Sequence, residues 1–207
     1  MLAEISKVLE IFYTVTLTLS KETSSLSEVI PVLRCLTTNL QKEYTLNQSL
    51  FSEKLLFSIH KRFPDYEKTK LLTISTILDP RFKDKVFSEE NEKNIAVNSL
   101  KQELESVDIL PDYREPQQCN TAESEINTYL NEDLLNEDDD IYKYWSRSQL
   151  SGLKELANRY HSSPSSSVDS ERAFSTAGFI CSKSRNALNP EKVRQLIFCS
   201  RNIKYLG

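Results

Sequence analysis

The chain has 207 residues, of which 39% are apolar and 27% charged, with a formal net charge of −4. A chain of this length fits one domain or two small ones and is long enough to bury a core. The acidic balance argues against an autonomous nucleic-acid binder, because phosphate binding needs a surplus of Lys and Arg on some face.

Glycine is scarce, at 3 residues. All-β proteins spend many glycines on tight turns, so the scarcity favours helices. No stretch approaches the roughly 18 apolar residues of a membrane-spanning helix. The N-terminus MLAEISKVLEIFYTVTLTLSKE is interrupted by Glu4, Lys7 and Glu10 and has no basic start, so no signal peptide is expected. Cys35, Cys119, Cys181 and Cys199 form no C-x-x-C pair, and His60 and His161 lie far from all of them. That spacing argues against structural zinc and for free thiols in a reducing compartment, cytosol or nucleus.

In chain order, Leu2, Ile5, Val8, Leu9, Phe12, Val15 and Thr16 recur at helical spacing. Leu26, Val29, Ile30, Leu33, Leu36 and Leu40 repeat the pattern, with Pro31 placed in a first turn, where its missing N–H costs little. Leu50, Leu55, Leu56, Ile59 and Phe63 form a third stripe that stops before Pro64. The next stretch, KLLTISTIL at 70–78, is compact, apolar and rich in β-branched residues. Periodicity leaves it open between a strand and a buried helix. Asp79-Pro80 ends it.

Residues 89–107 return to a charged helix with Ile95, Val97, Leu100, Leu104 and Val107 as its apolar face. Residues 108–140 carry Pro111, Pro116 and the run Glu137-Asp138-Asp139-Asp140. They read as a mostly solvated acidic linker, with a short helix around Ile126, Leu130, Leu134 and Leu135. An aromatic cluster, Tyr142, Tyr144 and Trp145, then precedes a helix through Leu150, Leu153, Leu156, Ala157 and Tyr160. Ser162 to Ser167, around Pro164, is a loop with several N-cap hydroxyls. A helix bearing Val168, Glu171, Phe174 and Ala177 follows. The last helix starts with Asn189 as cap, Pro190 at the first helical position and Glu191 in the first turn, and Val193, Leu196, Ile197, Ser200 and Ile203 form its apolar seam.

The stretch Ser167-Val168-Asp169-Ser170-Glu171-Arg172-Ala173-Phe174-Ser175, then Ala177-Gly178, Arg185, Leu188, Pro190, Leu196-Ile197-Phe198 and Asn202, resembles the signature that closes hAT transposases. Two further pieces stand in the right order. Leu78-Asp79-Pro80-Arg81-Phe82-Lys83 is similar to the family's L-D-P-R-x-K element, and Tyr144-Trp145 with Leu153 and Leu156-Ala157 is similar to its W…L…LA helix. The helices through Val29-Ile30-Pro31 have the look of the family's helical insertion. The resemblance covers essentially the whole chain and extends to relatives with BED-type zinc fingers, many of them domesticated transposons.

The resemblance implies a mainly α chain: an insertion-like helical array at 1–107, the acidic linker at 108–140, and a C-terminal dimerisation region at 141–207. The last part would hold the closing helices of a truncated RNase H-like domain without its catalytic sheet. Such transposases hold divalent metal ions with two Asp and one Glu, which activate water or a 3′-hydroxyl. Glu171 corresponds to that Glu. The two aspartates belong to strands upstream of the insertion, so they are expected to be absent. Asp79 matches an insertion motif and replaces neither, and Asp169 points elsewhere on its helix. The expectation is therefore no enzyme, no metal site and no cofactor, with Glu171 a relic serving as a helix-start residue. Arg172 and Arg185 read as partners of acids on neighbouring helices rather than as phosphate contacts, and Trp145 as an anchor between helices.

The resemblance also implies dimerisation. Without a sheet to cover, Phe174, Phe179, Ile180, Leu196, Ile197 and Phe198 need another apolar surface, and a second copy supplies one. The expected interface comprises Trp145, Leu153, Leu156, Phe174, Phe179, Val193, Leu196 and Ile197. The competing arrangement packs the same residues into an intramolecular bundle. The expected partners are a second copy or related hAT proteins, with DNA reached only through a partner, and with neither a membrane nor a small-molecule substrate. Two other readings stay open: the C-terminal fragment of a longer, DNA-binding active transposase, and a non-catalytic DNA-associated regulator. The resemblance implies a nuclear location; without it, the cytoplasm is expected.

Overall fold

The computed structural model describes residues 2–87, 89–106, 121–181 and 189–203. Among these the chain is mainly α, with no strand and only an isolated antiparallel bridge between Ser25 and Pro164. The expected segments at 1–107, 108–140 and 141–207 are to be set beside two compact units, Met1–Ser165 and Ser166–Gly207.

The first unit opens with α1 (Leu2–Leu19), α2 (Val29–Asn47) and α3 (Leu50–Arg62). Pro31 stands in the first turn of α2, as its chemistry requires. The Ser49 hydroxyl accepts from the Ser52 amide at the start of α3, and His60, Lys61 and Arg62 occupy its last turn, where cations suit the exposed carbonyls. Val8, Leu36, Leu40, Leu56 and Ile59 are buried together between the three helices, and Lys7 on α1 pairs with Glu43 on α2.

The ambiguous stretch KLLTISTIL is a helix, α4 (Lys70–Ile77). It packs against α2, α5 (Glu90–Ser106), α8 (Ser151–His161) and the two 3-10 turns at Leu26–Glu28 and Tyr66–Lys68. Being enclosed, it buries five successive residues, Thr73 to Ile77, and so has no polar face for periodicity to reveal. Tertiary burial overrides the poor helix propensity of its β-branched residues. Its hydroxyls turn to nearby carbonyls: Thr73 donates to Lys70 and Thr76 to Ser27, both at 3.1 Å.

Within the expected acidic linker, residues 107–120 lie outside the described residues, while α6 (Ala122–Asn131) forms and buries Ile126 and Tyr129 in the core. The short helix expected around Ile126, Leu130, Leu134 and Leu135 runs over Ala122–Asn131, so it takes in the first two and ends before Leu134 and Leu135. It begins at Thr121, whose hydroxyl accepts from the Ser124 amide. The α7 helix (Ile141–Arg147) starts on Asp140, which accepts from the amides of Tyr142 and Lys143. The α8 helix has no cap of its own. The buried Glu125 carboxylate, from α6, instead accepts from the amides of Gly152 and Leu153 at 3.4 and 3.2 Å.

The Leu78-Asp79-Pro80-Arg81-Phe82-Lys83 element ties these helices together. The last carbonyls of α4, orphaned where the helix stops, take side-chain donors. Tyr129 Oη donates to Ile77 at 2.8 Å, Trp145 Nε1 donates to Leu78 at 3.0 Å, and His161 Nε2 lies 3.2 Å from the same oxygen. Asp79 is fully buried and accepts from Ser27 Oγ and from the Arg81 amide and guanidinium, while Arg81 also reaches Glu28 at 3.0 Å. Lys83, in a left-handed conformation (φ 49°), is buried and donates to the carbonyls of Tyr129, Glu132 and Asp133 at the end of α6. Burial pushes its pKa down.

Residues just past α8 are clasped to the turn after α1. The Leu26 amide donates to the Ser163 carbonyl at 3.1 Å, Ser165 Oγ donates to the Leu19 carbonyl at 3.1 Å, and the hydroxyls of Ser24 and Ser165 stand 2.7 Å apart.

Candidate functional site

The second unit is a helix pair in contact, α9 (Val168–Ile180) and α10 (Pro190–Asn202). At the start of α9 the Ser167 hydroxyl donates to Glu171 at 2.7 Å. The local chemistry of α10 is that of a designed start: Asn189 Oδ1 accepts from the Glu191 amide at 3.0 Å, Pro190 occupies the first helical position, and Glu191 sits in the first turn.

None of the described side chains in 166–203 is buried. At about 100° per residue, four of the half-buried positions of α9 (Ala173, Thr176, Ala177 and Ile180) form one arc, with Phe174 on one flank and Phe179 on the other, and half-buried Val168 lies beyond Phe179 in the first turn. In α10, Val193, Ile197 and Arg201 form the arc, flanked by Leu196 and Ile203 on one side and Phe198 on the other. Each helix thus half-buries a narrow seam and leaves large apolar groups on both shoulders. Phe174, Phe179 and Phe198 are 76%, 80% and 68% exposed, and Leu196 and Ile203 are exposed too. Full burial of one such side chain is worth about 1.5–3 kcal/mol. Two helices of this length without a buried core are marginal alone in water. The pair is an apolar surface awaiting cover.

The eight residues expected at an interface divide three ways. Phe174, Phe179 and Leu196 are exposed, and Val193 and Ile197 are half-buried. Trp145, Leu153 and Leu156 are buried in the core of the first unit, at 1%, 0% and 0% exposure, and face no solvent. For these three the intramolecular alternative holds, because α7 and α8 spend their apolar stripes against α4, α5 and α6. An amphipathic stripe looks the same whichever surface covers it. Phe198 and Ile203 join the exposed set; the i, i+7 spacing of Leu196 and Ile203 was the readable signal.

Glu171, the match to the family carboxylate, is exposed and engaged by Ser167 near the start of α9. Among the described residues no group of three His, Cys, Asp or Glu is placed to hold a metal ion. Nor is any described helix long and apolar enough to cross a membrane. Cys35, Cys181 and Cys199 are free and exposed, and Arg185 lies outside the described residues.

Residues 125–203 match the family model of the hAT family C-terminal dimerisation region. A human relative, zinc finger BED domain-containing protein 4, is 26% identical over 235 aligned residues, which take in 96% of this chain and 20% of that protein. The chain therefore spans about a fifth of the length of the curated relative it matches. The matched stretch begins inside α6 and runs through α10, so in sequence it takes in buried helices of the first unit and the exposed pair of the second.

Proposed function

We propose that this chain is a protein–protein interaction module that self-associates, or pairs with related hAT proteins, through the α9–α10 pair. The observation that carries the reading is the coincidence of Phe174, Phe179, Leu196, Phe198 and Ile203, all exposed on helices with no buried residue, with the matched dimerisation region. The direct test is solution mass by light scattering over a hundredfold concentration range. A dimer is expected, and Phe174→Ser together with Phe198→Ser should return it to the monomer while leaving the helical signal of the first unit intact. A monomer at every concentration would refute the reading.

The same proposal holds that this stretch of chain carries out no transposition chemistry on its own and descends from an RNase H-like transposase. Glu171 in a helix-start role supports it. The net charge of −4 supports a contact with DNA made only through a partner, and the BED zinc finger in the human relative's name supports a nuclear setting. A metal-dependent strand-cleavage assay on purified chain should be blank, and a gel shift near physiological salt should show no DNA binding. A second reading, the C-terminal part of a longer DNA-binding transposase, is favoured by the 20% coverage of the human relative, whose name includes a BED zinc finger. Cleavage or a salt-sensitive shift would favour that reading.

A further inference from the structure

The charge of the chain is divided unevenly. Residues 166–207 carry seven Lys or Arg against three Asp or Glu, whereas residues 1–165 carry nineteen against twenty-seven. Residues 121–140 contain eight acids and no Lys or Arg. In the structure Glu132, Asp133, Glu137, Asp138, Asp139 and Asp140 are all exposed, and among the described residues no Lys or Arg side chain pairs with their carboxylates.

This acidic ridge is held from beneath. Lys83 binds the carbonyls of Glu132 and Asp133, the Leu135 amide donates to the Pro80 carbonyl at 3.0 Å, and Arg81 Nη1 donates to the Glu137 carbonyl at 3.4 Å. The cations beneath are spent on backbone oxygens and buried acids, so the carboxylates outside keep their field. Between them stand two exposed apolar groups, Leu134 at 46% and Tyr142 at 49%. The surface is thus apolar in patches, acidic at its rim and fixed in shape.

We propose that the apolar, basic α9–α10 pair of one copy docks on the 132–140 ridge of a second copy, and that the contact is made twice in a two-fold dimer. This rests on the dimerisation reading and names its partner surface. The charge count chooses between two ways of covering the pair. Arg172, Lys192, Arg194 and Arg201 against Asp169, Glu171 and Glu191 make the two helices net +1, the other cations of the +4 stretch lying outside the described residues, so set against its own copy the pair meets like charge. Set against the ridge, its cations meet carboxylates and its apolar groups meet Leu134 and Tyr142. Electrostatic complementarity of the second kind speeds and orients association, and salt weakens it. Lys192 and Arg194 are exposed on α10, within the four residues before Leu196.

The test is the dimer dissociation constant of the whole chain by sedimentation equilibrium, from low to high sodium chloride. Reciprocal docking predicts Kd rising about tenfold or more as the salt screens the contact. Glu137→Lys with Asp138→Lys should raise Kd at low salt by a similar factor, and so should Lys192→Glu with Arg194→Glu. An equimolar mixture of the two variants should recover wild-type affinity, because each reversed ridge then meets a reversed helix pair. Circular dichroism checks that both variants keep their helices. A dimer whose Kd is constant or falls with salt, or that ignores the ridge variant, overturns this inference and leaves dimerisation standing. A chain that is monomeric at every salt and concentration overturns both.

Discussion

Replacing Lys83 by methionine keeps the length and most of the volume of a fully buried side chain but removes its three donors. The ammonium lies 2.7, 2.7 and 3.3 Å from the carbonyls of Tyr129, Glu132 and Asp133 and 4.7 Å from the centre of the Tyr129 ring. Glu132 and Asp133 are exposed, so water can take over two of these carbonyls; Tyr129 is buried, and its carbonyl keeps only the Glu132 amide at 3.3 Å. Loss of a buried hydrogen bond to a charged donor costs about 1.5–3 kcal/mol. Loss of the cation–π contact adds about 0.5–2 kcal/mol. Relief from burying a charge returns part of this, which leaves a net loss of about 2–4 kcal/mol. The left-handed backbone is shared by both residues and cancels. For a unit of this size each kcal/mol moves Tm by about 2–4 °C. Thermal and urea unfolding of the two proteins measure it, with Lys85→Met, an exposed neighbour, as a control expected to change stability by less than about 1 kcal/mol. If Lys83→Met lands within about 0.5 kcal/mol of the parent, these bonds do not pin α6 and the reasoning about this element fails.

Gly152 and Gly178 should respond oppositely to alanine. A Cβ at Gly152 would meet Leu104 Cδ1 at 2.6 Å and Glu125 Oε2 at 2.9 Å, displacing the carboxylate that caps α8, whereas a Cβ at Gly178 meets nothing within 4 Å. Gly152→Ala should lower the urea midpoint by about 1–3 kcal/mol equivalent, and Gly178→Ala should raise the helical content of α9 by up to about 1 kcal/mol; the same sign for both would contradict the packing. His161 supplies a pH dependence. Burial holds its pKa below the ordinary value, with Asp79 opposing, and its Nδ1 has no partner. The unfolded imidazole takes up its proton near pH ~6.5, the folded one only lower. This contribution is therefore whole above pH ~6.5 and is lost as pH falls through the folded value. Stability at pH 7.5 and 5.5 should differ more in the parent than in His161→Gln, and equal differences would remove His161 from the account.

Local chemistry was readable wherever it stayed local. Asn189, Pro190 and Glu191 announce α10 within three residues, and Pro31 sits where its missing N–H is harmless. KLLTISTIL was unreadable for the opposite reason: an element buried on all sides shows no contrast between faces. The exposed apolar face was half-legible. The apolar positions of α7 to α10 were found, but the pattern could not say that Trp145, Leu153 and Leu156 are covered by their own chain while Phe174 and Phe179 are not. Lys83 closes the L-D-P-R-x-K element, but what it and Glu125 anchor left no signal, because their partners lie 46 and 27 residues further on, where no short motif reaches.

The start of the matched region inside α6 bears on how the module should be handled. A bait cut to residues 125–203 would carry Tyr129, Trp145, Leu153 and Leu156 away from Ile74, Ile77, Leu78 and Leu100, the side chains that shelter them. Such a fragment would expose a cut core beside the exposed faces of α9 and α10, and two-hybrid or pull-down screens would count its stickiness as partnership. Family boundaries here mark where sequences agree, and the scissors belong elsewhere.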